Sequence, residues 1–276
     1  MPGMGKASAA TVAAHCRSSF PNIKLALVVG ICGVVPFCPD SGDEIVLGDV
    51  VVSSGVVQYD LGRRLPEGEF VYKDTLLDAL GRPNIEIRAL LAKLETLHGG
   101  EMLQEDMLTY LEVLRLKPAL KAAYPGTAQD RLFEASYHHV RVDMMCGDCV
   151  CDDGKSVRRN GLCKKCACDA RKLVRRARLE AGGDVQHTVH FGLTASGDTV
   201  MKSGEDRDAI AKEAGVIAFE MEGAGVWDSF PCVVIKGACD YADSHKTKAW
   251  QRYAAATAAA CMKALLDHWE LSTLGT

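Results

Sequence analysis

The sequence predicts an α/β fold, on three observations. A continuous apolar run, Leu25 to Val29, ends in the glycine turn Gly30-Ile31-Cys32-Gly33. The same texture returns after Gly183, where short apolar runs end in acid-bearing turns. An Ala-rich segment closes the chain, as a helix packed closely on a sheet requires.

Taken in order, Ser8 to Phe20 has Val12, Ala13 and Cys16 at helical spacing and reads as a helix closed by Pro21. Leu25 to Val29 is the first strand, and Ile45 to Val52 and Gly55 to Tyr59 read as two more. From Asn84 to about His98, Ile87, Leu90, Leu91 and Leu94 share one helical face, and Gly99-Gly100 is the expected stop. A second amphipathic helix runs from Met102 to Leu116, before Pro118. After the insertion come a strand at Val189 to Leu193, a helix at Asp206 to Ala214, strands at Val216 to Phe219 and Cys232 to Ile235, and the closing helix, Lys248 to Trp269. We therefore expect one domain over 1–276, with an insertion at about 60–182 that holds a helical pair at 84–117 and a cysteine segment at 146–168.

Composition bounds the function. The chain has 276 residues, 48 % hydrophobic and 25 % charged, which excludes wholesale disorder, and its net charge of −4 names no polyanionic partner for the whole. No apolar run reaches the roughly 18–20 residues that span a bilayer, and MPGMGKASAA lacks a signal peptide's apolar core, so the expected location is the cytoplasm. In a reducing compartment 12 cysteines, six of them within 146–168, argue for metal rather than disulfides. Cys146-x-x-Cys149 and Cys163-x-x-Cys166 have the two-knuckle spacing of a structural, tetrahedral zinc site, with Cys151 and Cys168 as extra thiols able to replace a ligand. Free thiols in a loop are the alternative. No cofactor for catalysis is implied. Residues 155–178 carry ten Lys or Arg against one acid, Asp169. That block permits a rival reading, a zinc-dependent module contacting nucleic acid through Arg171 to Arg178.

The chemistry-bearing residues stand at strand ends. Glu220-Met221-Glu222 places two carboxylates beside Gly223, and Asp240 follows an apolar strand directly. If those strands are parallel neighbours, Glu222 and Asp240 share the carboxyl edge of the sheet; the alternative is that each caps the next helix.

Gly30-Ile-Cys-Gly33, Leu47-Gly-Asp-Val-Val-Val-Ser53, Gly192-Leu-Thr-Ala-Ser-Gly-Asp198, Phe219-Glu-Met-Glu-Gly-Ala-Gly225 and Cys239-Asp-Tyr-Ala-Asp243 occur in the order seen in the nucleoside phosphorylase and nucleosidase superfamily. With the tail from Val234 to Lys246, Trp250-Gln251 and the Ala-rich helix, the chain resembles the purine-phosphorylase-like domains of fungal NOD-like and ankyrin-repeat proteins. The resemblance covers nearly the whole chain. It implies a three-layer α/β/α sheet, a homo-oligomer, and cleavage of the N-glycosidic bond of a purine nucleoside or nucleotide, as a nucleosidase or phosphorylase. By that resemblance Asp240 protonates or hydrogen-bonds the purine at N7, and Glu222 takes the ribose hydroxyls over Met221. Val200 and Met201 line the base pocket, and Gly30 and Gly33 lie beside the nucleophile. Phosphorylases of bacterial type hold phosphate with an arginine and a serine near this turn; Val28 and Ile31 stand here instead, which favours water. ATP is a further expected substrate, with the basic block, Lys246 and Lys248 as polyphosphate contacts. Relatives begin with strands that precede the helix opening this chain, so the resemblance implies an N-terminally truncated sheet and a cleft short of one acid. A catalytically inactive regulatory or interaction domain is the alternative function.

Overall fold

The computed structural model describes residues 3–66, 70–73, 75, 78–139, 168–180 and 185–269. Helix α1 (Lys6–Ser19) precedes strands β1 (Ala26–Val34) and β2 (Val50–Gln58). The insertion supplies a hairpin, β3 (Gly62–Arg64) and β4 (Phe70–Tyr72), then helices α2 (Ile85–Leu94), α3 (Leu97–Arg115) and the short α4 (Ala177–Glu180). The chain returns through β5 (Val189–Ser196), α5 (Gly204–Ala214), β6 (Val216–Glu220), α6 (Gly223–Trp227), β7 (Cys232–Asp240) and α7 (Gln251–Asp267).

Alternation along β7 explains the layering. Val233 and Ile235 join the core that α7 and α3 complete, whereas Cys232 and Val234 join a smaller cluster with Trp227 of α6. Both faces are covered, so the strand reads as an unbroken apolar run. The predicted α/β/α architecture is thus present. Its central sheet also curls until its ends meet, in the order β1-β6-β5-β2-β7. The pairs β1–β7, β2–β5 and β5–β6 are parallel, and antiparallel contacts between β1 and β6 and between β2 and β7 close the ring. Alanines on α7, including Ala254, Ala258, Ala260 and Ala264, are buried, and Leu103, Met107 and Leu111 of α3 pack outside that helix. Each of those larger side chains contributes roughly 1.5–3 kcal/mol by leaving water.

Three sequence expectations are corrected. Ile45 to Leu47 is buried but not a strand, because its backbone is held by Arg176 and Asp130 and by Asp49. A single strand, β2, replaces the two predicted between 45 and 59. Gly99-Gly100 does not stop a helix; it lies in the first turn of α3, and the break falls at Glu95-Thr96. A Cβ on Gly99 would sit 2.1 Å from the Lys93 carbonyl, so glycine is required by the close approach of α2 to α3. Finally, β6 and β7 are not neighbours: β1 lies between them.

Candidate active site

The site forms where β1 ends between β6 and β7. Strand register places Gly30 beside Lys236 and Gly33 beside Asp240. On the other side Gly33 pairs with Phe219, next to Glu220. Gly30 to Gly33, expected as a turn, are instead the second half of strand β1, and this glycine segment separates two charged groups.

The first group is a buried triad. Lys236 Nζ lies 3.0 Å from Glu220 Oε2 and 2.9 Å from Glu222 Oε2. Burial by itself would lower the pKa of the Lys236 ammonium, but the charges of Glu220 and Glu222 outweigh it and raise the pKa above its ordinary value. Glu220 also accepts from the backbone N–H groups of Glu222 and Gly223, which fixes the turn into α6. The capping role considered for Glu222 thus belongs to Glu220, and Glu222 makes no side-chain cap. Its carboxylate is 16 % exposed, where a solute can reach it.

The second group surrounds Asp240. Its Oδ1 accepts from Lys246 Nζ at 2.7 Å and from Ala242 N at 2.9 Å, and Cys239 Sγ donates to Oδ2 at 3.4 Å. A Cβ on Gly33 would stand 2.7 Å from Asp240 Oδ1 and 3.0 Å from Ala242 Cβ, so β1 passes too close here for any side chain. Ala242 has φ +51°, a left-handed conformation unusual for a non-glycine residue, two positions after the acid. Burial pushes the Cys32 and Cys239 thiols well above their usual range, consistent with small apolar fillers rather than nucleophiles.

Of the sequence-predicted residues, Glu222, Asp240, Gly30 and Gly33 come together at these strand ends. Met221 is half-buried between Glu220 and Glu222. Val200 and Met201 lie in the loop after β5, whose Gly197 N–H donates to the Glu220 carbonyl; Val200 is exposed and Met201 packs against the main core. Cys146, Cys149, Cys163 and Cys166 lie outside the described residues. Where the basic block is described it divides: Arg171, Lys172 and Arg175 are exposed and paired with Asp169, Glu134 and Glu180, whereas Arg176 and Arg178 turn inward. Arg176 is 3 % exposed and donates to Tyr241 Oη, Pro36 O and Ile45 O, while Arg178 pairs with buried Asp49. Neither is displayed to a nucleic acid or a polyphosphate. Glu220 and Lys236 were missed as site residues, and Lys246, expected as a polyphosphate contact, is paired with Asp240. The signal for Lys236 was legible, since a lysine inside the apolar run from Cys232 to Ala238 must find buried carboxylates.

No protein-family profile matches the sequence. A nucleotide-binding leucine-rich repeat (NLR)-like protein of Hyaloscypha variabilis is 31 % identical over 272 residues, which is 96 % of this chain and 24 % of that protein. The chain thus spans about a quarter of the length of the curated relative it matches. Futalosine hydrolase of Helicobacter pylori superposes with a TM-score of 0.52 at 16 % identity, covering 96 % of this chain and 76 % of that one. The 5'-methylthioadenosine/S-adenosylhomocysteine nucleosidase of the same organism gives 0.50 at 15 %, with the same coverage. That of Neisseria meningitidis gives 0.50 at 17 %, covering 96 % and 78 %.

The chain has the nucleoside phosphorylase/nucleosidase fold. Within this nucleosidase fold the sequence similarity to solved structures is low, yet almost the whole chain takes part in the superposition. Among the described residues no helix is long and apolar enough to cross a membrane.

Proposed function

We propose that the chain cleaves the N-glycosidic bond of a purine nucleoside or nucleotide, with water as the attacking group. The observation that carries this is the placement of Glu222 and Asp240 at the ends of the two strands that flank the glycine segment of β1, each paired with a lysine. The names of the similar structures support the reading: two are nucleosidases of methylthioadenosine and adenosylhomocysteine, and the Neisseria protein binds methylthio-immucillin-A.

Breaking the bond between C1′ and N9 leaves positive charge on the ribose and negative charge on the base. Glu222, already partly exposed, accepts the ribose hydroxyls and stabilises the cationic sugar. Asp240 hydrogen-bonds N7. The ammonium of Lys246, 2.7 Å from Asp240 Oδ1, orients that carboxyl group toward the base. Val28 and Ile31 pack against the two apolar clusters and offer phosphate no ligand, which favours water. With Arg176 and Arg178 engaged internally, the exposed cations of the expected set among the described residues are Arg171, Lys172, Arg175 and Lys248.

Chromatography of free base released from adenosine and from ATP, each with and without phosphate, tests the proposal. The expected result is phosphate-independent release, lowered by at least about 100-fold in kcat by Asp240→Asn, with raised KM and lowered kcat in Glu222→Ala. Folded protein that releases no base under any of the four conditions would identify an inactive interaction domain instead.

A further inference from the structure

The segment from 140 to 167 leaves and re-enters the described structure at adjacent points. His139 Nδ1 and Cys168 Sγ are 3.2 Å apart. Beside them stands His245, and one donor atom from each of His139, Cys168 and His245 lies within 4.8 Å of the other two. The side chain of His245 is 6 % exposed, and neither of its ring nitrogens has a hydrogen-bond partner among the described residues. A buried imidazole with both nitrogens unsatisfied is costly, so the arrangement calls for a partner.

The geometry points to a metal site: we propose that His139, Cys168 and His245 bind one zinc-type ion. Two imidazoles and a thiolate are a donor set that zinc prefers over the hard, oxygen-seeking cations. With bonds of about 2.0–2.1 Å to nitrogen and about 2.3 Å to sulfur, tetrahedral donors stand roughly 3.3–3.7 Å apart, so the trio needs to close by about 1.5 Å at most. Its surroundings already fix the rings. His245 stacks on Phe133 with centroids 4.1 Å apart and meets His139 edge-on. Asp243 Oδ2, 3.8 Å from His245 Nδ1, is positioned to receive that N–H and leave Nε2 for the metal, the carboxylate–histidine–metal relation common around zinc. The backbone N–H of His139 donates to Ser244 Oγ and that of Asp169 to Tyr137 Oη, so the three donor-bearing segments are pinned before any ion arrives.

On binding, the Cys168 thiol loses its proton to solvent and the thiolate takes its place in the coordination sphere. The ion would clasp both ends of the cysteine segment to the loop between Asp240 and Lys246. This site shares no residue with the two-knuckle set Cys146, Cys149, Cys163 and Cys166, and it does not depend on the proposed reaction.

Zinc affinity of the full chain, read by competition with a chromophoric chelator, tests the inference together with the ultraviolet spectrum of the cobalt-substituted protein. Cys168→Ser and His245→Ala are expected to weaken the binding of one zinc equivalent by more than about 100-fold, and Asp243→Asn by roughly 10–100-fold, as for an outer-shell partner. Should the serine or alanine variant fail to fold, Cys168→His decides: it retains the zinc equivalent and loses one thiolate's share of the cobalt charge-transfer band. Absence of zinc binding by the wild-type chain, or an affinity and a spectrum indifferent to these substitutions, would overturn it.

Discussion

Lys236 shows how much one side chain can hold in place. Its ammonium, on a residue only 3 % exposed, pairs with two carboxylates at once. Removing it leaves Glu220 buried and unpaired. Lys236→Met is therefore expected to cost about 3–5 kcal/mol in urea denaturation, and Glu220→Gln in the same chain to recover part of it. Another buried carboxylate, Asp49, is surrounded by Arg178, His187 and His190. Burial alone would raise its pKa, but these partners outweigh burial and hold it far below the carboxylate range. For His190 burial acts downward, and the hydrogen bond and charge of Asp49 prevail, raising its pKa from 6.5 to about 9. A raised folded-state pKa gives stability that is fully present below pH 6.5 and is lost as the pH climbs through about 9. Thermal stability should fall by up to about 3 kcal/mol across that window, and His190→Gln should flatten the decline.

At the scale of elements, caps and close approaches decide boundaries. Asn84, Thr96 and Ser203 each accept a backbone N–H in the first turn of α2, α3 and α5. Thr96 matters most for topology because it restarts the helix where Gly99 permits α3 to fold back against α2. Thr96→Ala should lower stability by about 1 kcal/mol, measured by denaturant midpoint with an unchanged slope. A slope that changed would show that the α2–α3 junction unfolds separately.

Across the whole molecule, the insertion is bound to the sheet by the basic segment that follows the cysteines. Arg176 joins Pro36, Ile45 and Tyr241, and Tyr241 in turn donates to Asp130, whose other oxygen accepts from Leu47 N. This network fastens the segment to the loop that follows Asp240. Arg176→Met should cost at least about 3 kcal/mol, since hydrogen bonds to a charged group contribute about 1.5–3 kcal/mol each. Arg171→Gln, exposed and paired locally with Asp169, should change stability by less than about 0.5 kcal/mol. Comparable losses in the two variants would mean that the segment does not anchor the fold.

The sequence by itself determined the α/β class, most strand and helix positions, and the acids at strand ends, because burial on two faces writes apolar runs and the turns after them must carry polar residues. It also marked Glu222, Asp240, Gly30 and Gly33. Tertiary structure decided what local pattern cannot express. Ile45 to Leu47 has a strand's composition but finds its hydrogen bonds with Arg176, Asp130 and Asp49, far away in the chain. Gly99-Gly100 has a stop's composition, yet close packing against Lys93 made glycine necessary inside a helix. Two arginines of the basic block, Arg176 and Arg178, became internal braces, since only the folded chain brings buried carbonyls and Asp49 within reach. His139, Cys168 and His245 meet for the same reason: their proximity depends on a chain crossing, and no spacing in the sequence records it.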